Sequence, residues 1–132
     1  MISKMKRSNS AFTLVEIMIV VAIIGLLAAL AIPGFVKARK QSQGRRIIND
    51  ARQMDGAIDQ WAINTGQQDG TVIVDPAGSN VPAISTYLKT AWETTDLLNN
   101  SYSFGNIGFQ QVQISTATKN ALSGVNIDWG SY

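Results

Sequence analysis

The sequence predicts an α+β fold in which a long N-terminal helix packs on a small antiparallel sheet. Three observations carry that expectation. Residues 17–32 form an unbroken apolar run, residues 47–61 carry apolar side chains at helical spacing, and the remainder holds short β-branched and aromatic runs between turn residues.

The first element begins after a basic leader. Lys4, Lys6 and Arg7 precede Ser10-Ala11-Phe12-Thr13-Leu14-Val15-Glu16, and the sixteen residues from Ile17 to Ile32 that follow carry no charge. Counted from Phe12 to Val36, a helix of about 25 residues would be roughly 37 Å long, enough for a hydrocarbon layer of about 30 Å. Ile, Leu, Val and Ala fill it on every side, so no stripe separates a core face from a wet face. A membrane span is expected rather than the buried helix of a soluble domain.

A plain anchor has no use for Glu16. A carboxylate in an apolar helix is costly, about 2.5–3.5 kcal/mol at the centre of a span and less near its end, and it marks function when it is kept. Two readings stay open. Thr13-Leu14-Val15-Glu16 has the spacing of a capping box, in which the Glu side chain returns to a free backbone N–H. Alternatively, a cut between Ala11 and Phe12 would create an ammonium one helical turn from Glu16, and opposite charges in an apolar bundle attract strongly.

The basic leader, small residue, aromatic residue and lone carboxylate resemble the class III signal of type IV pilins and type II secretion pseudopilins. The resemblance covers about residues 1–64 and implies a pilin-like fold. It also implies cleavage between Ala11 and Phe12 by a prepilin peptidase, N-methylphenylalanine at Phe12, and a Glu16 that sets axial register against the neighbouring subunit's ammonium. The implied organisation is a leader (1–11), a transmembrane and assembly helix (12–36), an amphipathic helix of stalk and head (37–64) and a small globular head (65–132). The implied partners are the peptidase, identical or related subunits in a homo-oligomeric filament, an inner-membrane assembly platform and membrane lipid. The location would be the bacterial inner membrane as a single-pass precursor, then a periplasmic or cell-surface filament. Family members have Gly before the cut where this chain has Ala11, which is small enough for a tight site, so slower cleavage is expected. Positive-inside counting conflicts with this orientation, since Lys37, Arg39, Lys40, Arg45 and Arg46 outnumber the leader's three cations; the peptidase requires the leader to be cytoplasmic, and the family pattern takes precedence.

Pro33-Gly34 interrupts the pattern. Proline removes a backbone donor and crowds the preceding turn, so a kink or local loss of helix is expected, resembling the pilin segment that relaxes on leaving the membrane. Gly and Pro are also simply common in membrane helices. Beyond it, Ile47, Ala51, Met54, Ile58 and Trp61 recur at spacings of four and three, the core stripe of an amphipathic helix that stops near Asn64-Thr65-Gly66. From Phe12 to Asn64 the helix would be roughly 80 Å long and bent near Pro33.

Charge is segregated under a net +2: Lys37, Arg39, Lys40, Arg45, Arg46 and Arg52 crowd one stretch, whereas beyond Arg52 two lysines face seven carboxylates. The basic stretch fits a solvated face or anionic lipid headgroups, contact with acidic neighbouring heads, or nucleic acid, for which the missing interleaved aromatics make the weakest case. Nucleic acid is not an expected partner.

In the C-terminal part, Thr71-Val72-Ile73-Val74 reads as a strand ended by the turn Asp75-Pro76-Ala77-Gly78, and a short helix is expected from Ser85 to Lys89 or Trp92 with Ser85 as cap. Residues 102–104, 109–115 and 125–129 read as strands separated by Gly105-Asn106 and Ser123-Gly124 turns, giving a sheet of about three strands under the long helix.

The chain contains no Cys and no His, which removes disulfides, thiolate sites and imidazole chemistry. Asp69, Asp75 and Asp128 are too scattered for a recognisable calcium loop, so neither metal nor cofactor is expected. No nucleophile sits beside a base, and an enzyme is not expected. The competing reading is a secreted or anchored binding protein, for which Ala29-Leu30-Ala31 offers an ordinary signal-peptidase site; Glu16 argues against it.

Overall fold

The structure is a computed structural model that describes residues 11–73 and 80–132. It divides into two compact units, one ending at Val36 and the other beginning at Lys37.

Helix α1, Leu14–Thr65, supplies elements of both units. Within the first, Pro33 lies inside the helix, and residues 33 and 34 keep helical backbone, so of the expected kink or local loss of helix the loss is not seen. Proline only withholds the N–H that would have reached the Ala29 carbonyl. The helix ends through Gly66, whose φ of +66° is open to a residue without Cβ; Gln67 N then donates to Ala62 O at 2.9 Å and closes the last turn.

The second unit is built around the C-terminal half of α1. Ile47, Ala51, Met54, Ile58 and Trp61 are buried, joined by Ile48, Ala57 and Ala62. Ile73, Ile84, Tyr102, Ile107, Val112, Ile114 and Leu122 cover them. Each large apolar side chain withdrawn from water contributes about 1.5–3 kcal/mol, so this one cluster holds the unit.

Among the described residues the sheet has two strands, β1 (Ser103–Asn106) and β2 (Phe109–Gln113), antiparallel with Phe104 opposite Val112. Gly108 makes the connecting turn with φ +78°. Gly105 is required by crowding, because a Cβ there would lie 2.4 Å from Gln110 O. Of the strand expected at 71–74, the described residues 71–73 contribute a single bridge, Val72 to Asn106, with Ile107 N donating to Thr71 O at 3.0 Å. The turn expected at Asp75–Gly78 lies outside the described residues.

Three local expectations are corrected. The helix begins earlier, as α2 (Val81–Ile84) followed by a 3₁₀ turn (Ser85–Tyr87), because Pro82 suits a first turn and the Ser85 hydroxyl bonds Pro82 O instead of capping. Residues 125–129 form no strand: Asp128 Oδ1 accepts from Gly130 N at 3.0 Å, and Gly124 and Gly130 have positive φ, so turn geometry displaces a ladder. Helix α3 (Thr116–Ala121) was not expected; Ser115 caps it by accepting from Ala117 N, which ends β2 at Gln113 instead of residue 115.

Candidate functional site

The N-terminal half of α1 has no cover. From residue 11 to residue 39 no side chain is buried, and Ala28 alone is half-buried. The segment is long and apolar enough to cross a membrane. A core helix of a soluble domain would bury its apolar residues against its own chain; this one presents them outward on every side, a surface that only lipid or other apolar helices can satisfy.

Ala11 and Phe12 precede this helix in non-helical backbone, with Phe12 82% exposed. Thr13 and Glu16 then close the helix start. Thr13 N donates to Glu16 Oε2 at 2.8 Å, the Thr13 hydroxyl donates to the same oxygen at 3.1 Å, and Glu16 N donates to Thr13 Oγ1 at 3.2 Å. This is the reciprocal cap that the spacing allowed, and it places a negative charge on the positive end of the helix dipole. Glu16 Oε1 has no bond among the described residues.

The basic stretch is dispersed around α1. Lys40 Nζ donates to Ser123 O at 3.2 Å, Arg46 lies close enough to Asp50 to favour its charged form, and Arg52 reaches the Tyr132 hydroxyl. Arg45 is exposed and has no partner among the described residues. Burial pushes the Asp50 carboxyl up, Arg46 opposes this, and Glu93 adds to it. Burial likewise raises Asp55, against the hydrogen bond it accepts from Tyr132 at 3.1 Å. Tyr102 is raised by burial and by Asp50, Asp96 and Glu93, and its buried hydroxyl has no hydrogen-bond partner among the described residues.

The three scattered aspartates are not brought together as a described group. Asp69 stands against Gly108, Asp128 accepts from Gly130, and Asp75 lies outside the described residues. Sequence reasoning missed the buried Asp96, which accepts from Leu98 N at 2.8 Å, Asn100 N at 3.0 Å and the Thr118 hydroxyl. The Asp-Leu-Leu-Asn-Asn run was its available signal, since a carboxylate followed by free N–H groups makes an Asx turn. It also missed Ile63 and Phe109, apolar yet 79% and 70% exposed.

Residues 6–32 match the prokaryotic N-terminal methylation motif. The type IV major fimbrial protein FimA of Dichelobacter nodosus is 42% identical over 77 residues, 58% of this chain and 49% of that protein. The fimbrial protein EcpC of Eikenella corrodens is 31% identical over 103 residues, 65% of this chain and 67% of that protein. The type II secretion system core protein G of Aeromonas hydrophila is 29% identical over 62 residues, 47% of this chain and 43% of that protein. The chain thus spans half or less of the Dichelobacter and Aeromonas proteins. No solved structure matches it.

Proposed function

This chain belongs to the family of type IV pilins and type II secretion pseudopilins, and from that premise we propose that it is a structural subunit of such a filament. The observation that supports this most is the uncovered apolar half of α1, opened by Thr13 and Glu16 immediately after Ala11-Phe12. Helices of this kind anchor the precursor in a membrane and then pack on one another when the subunit leaves it. Nothing in that role calls for catalysis or a cofactor.

The assembly route follows. A prepilin peptidase removes residues 1–11, and the new Phe12 amine is methylated. Residues 12–36 hold the subunit in the bacterial inner membrane until an assembly platform transfers it to a periplasmic or cell-surface filament of related subunits. Glu16 then meets the Phe12 ammonium of its neighbour, and Pro33-Gly34 is where α1 bends during transfer. Residues 37–64 are the amphipathic helix of stalk and head, and 65–132 complete the small globular head that packs on it. Lipid is a partner before assembly, and nucleic acid has no part in it.

Mass spectrometry of the mature N-terminus tests the proposal. A methylated Phe12 on protein recovered from filaments supports it. Ile32 as first residue would make the chain a secreted protein, and Met1 or Ile2 an uncut anchored one; either overturns it.

A further inference from the structure

The C-terminal half of α1 carries opposite charges on its two flanks. At about 100° per residue, Arg45 and Arg52 fall within about 20° of each other on one side of the buried Ile47, Ala51 and Ile58, and Asp50 falls about 140–160° away on the other. On the first flank, Arg45 and Arg52 line a groove of about 420 Å³ with Gln41, Asn49 and Asp128. Its one carboxylate, Asp128, faces two guanidinium groups. On the second flank, Asp50 and Glu93 line a cleft of about 120 Å³ in which Arg46 is the lone cation among the described residues. The groove has surplus positive charge and the Asp50–Glu93 cleft surplus negative charge, with Arg52 and Lys89 lining the next cleft along the helix beyond Gln53 and Leu88.

We infer that neighbouring copies of this chain associate side by side, the Arg45–Arg52 flank of one against the Asp50–Glu93 flank of the next. The inference rests on the filament-subunit reading and gives that filament a second contact outside the membrane helices. Such a contact is heterologous: a pair of copies keeps one free flank of each sign, so the interface propagates into an open helical array unless it closes into a ring. An isologous dimer through either flank would instead set like charges together. The pairing also has a direction. Asp50 lies five residues beyond the Arg45 that it meets, so the neighbour is displaced along this half of α1 by a little more than one helical turn. Anionic lipid could satisfy Arg45 and Arg52, but it leaves the acidic flank without a partner, and a second copy accounts for both.

The chain has no cysteine, so single introduced thiols report this contact. Full-length chains carrying Arg45→Cys and Asp50→Cys, co-expressed with the assembly machinery and treated as filaments with a short bismaleimide, should give a covalent dimer about fivefold more abundant than filaments of either variant alone. Filaments that contain both variants and give no such excess overturn the inference and leave the subunit reading intact. An unaltered chain that never enters filaments overturns the subunit reading, and the inference with it. Charge exchange covers the case in which cysteine disturbs the flank: Arg45→Glu and Asp50→Lys should each lower filament yield about fivefold, and the double variant should restore it to within about twofold. Additive losses, or losses that follow the anionic lipid content of the membrane, assign Arg45 to lipid headgroups and overturn the inference.

Discussion

Gly44 and Ile127 meet where α1 packs on the C-terminal segment: a Cβ on Gly44 would stand 2.6 Å from Ile127 Cδ1 and 3.2 Å from its Cγ1. Gly56, three turns on, has nothing within 4 Å of the same position. Alanine in place of a mid-helix glycine adds about 0.5–1 kcal/mol of stability where space allows. Gly56→Ala should therefore stabilise the detergent-solubilised full chain by about that amount in urea denaturation. Gly44→Ala should fall short of it because Ile127 must move, and Gly44→Leu should destabilise. Equal gains at the two glycines would mean that the 126–128 segment does not rest on Gly44.

The Asp96 carboxylate ties the 96–100 turn, where Asn99 has φ +62°, to α3 through Thr118, which is fully buried. Asn100 Nδ2 also donates to Thr118 Oγ1 at 3.0 Å. Thr118→Val keeps the shape and removes the hydroxyl, leaving both partners short of a bond, at about 1–3 kcal/mol. Thr118→Ser should recover most of that loss. If valine is as stable as threonine, the turn is held by packing alone.

Asp55 gives a pH dependence with a definite sign. Its carboxyl is raised above 3.8 chiefly by burial, so the folded protein holds the proton more tightly than the unfolded chain. The ionised group therefore costs stability at neutral pH, and that cost disappears as pH falls through the folded value and below 3.8. Asp55→Asn keeps an acceptor for Tyr132 without the charge. It should be the more stable form at pH 7, by less than about 1 kcal/mol at this partly exposed site, with the gap closing in acid. A gap independent of pH would assign the effect to packing.

The sequence was most legible where one residue property decides structure. Ile47, Ala51, Met54, Ile58 and Trp61 are the core because period and hydrophobicity agree, and α1 ends at Thr65 because Gly66 can adopt a positive φ. It was least legible where short polar residues choose between roles that propensity does not separate. Ser85 ends a helix that it was expected to start, and Ser115 starts one in what read as strand. Ile127 has strand-forming chemistry, yet its partner is a gap on α1 at Gly44, a tertiary contact with no local signal. At the candidate site the Thr13–Glu16 cap was readable as a three-residue spacing. The opposed flanks of Arg45 and Asp50 were not, because only the position of the core stripe defines the flanks.

The Glu16 cap and the proposed register role can be separated by substitution. Its Oε2 accepts both bonds from Thr13, so the cap occupies one oxygen, and Oε1, which has no bond among the described residues, is the atom that the proposed pairing with a neighbour's Phe12 ammonium would use. Glu16→Gln keeps an acceptor for the cap and loses the charge, whereas Thr13→Ala loses the hydroxyl and keeps the charge. If register depends on charge, Glu16→Gln should insert and be cleaved after Ala11 yet leave a buried ammonium unpaired, at about 3–5 kcal/mol, and filament yield should collapse. Thr13→Ala should lose about 0.5–2 kcal/mol at the helix start and still assemble. A cap-only role reverses the order: glutamine would assemble like the parent chain, and alanine at residue 13 would be the weaker variant. Comparing filament yield with the fraction of processed protein in the two variants decides between them, because processing controls for insertion while assembly alone reads the charge.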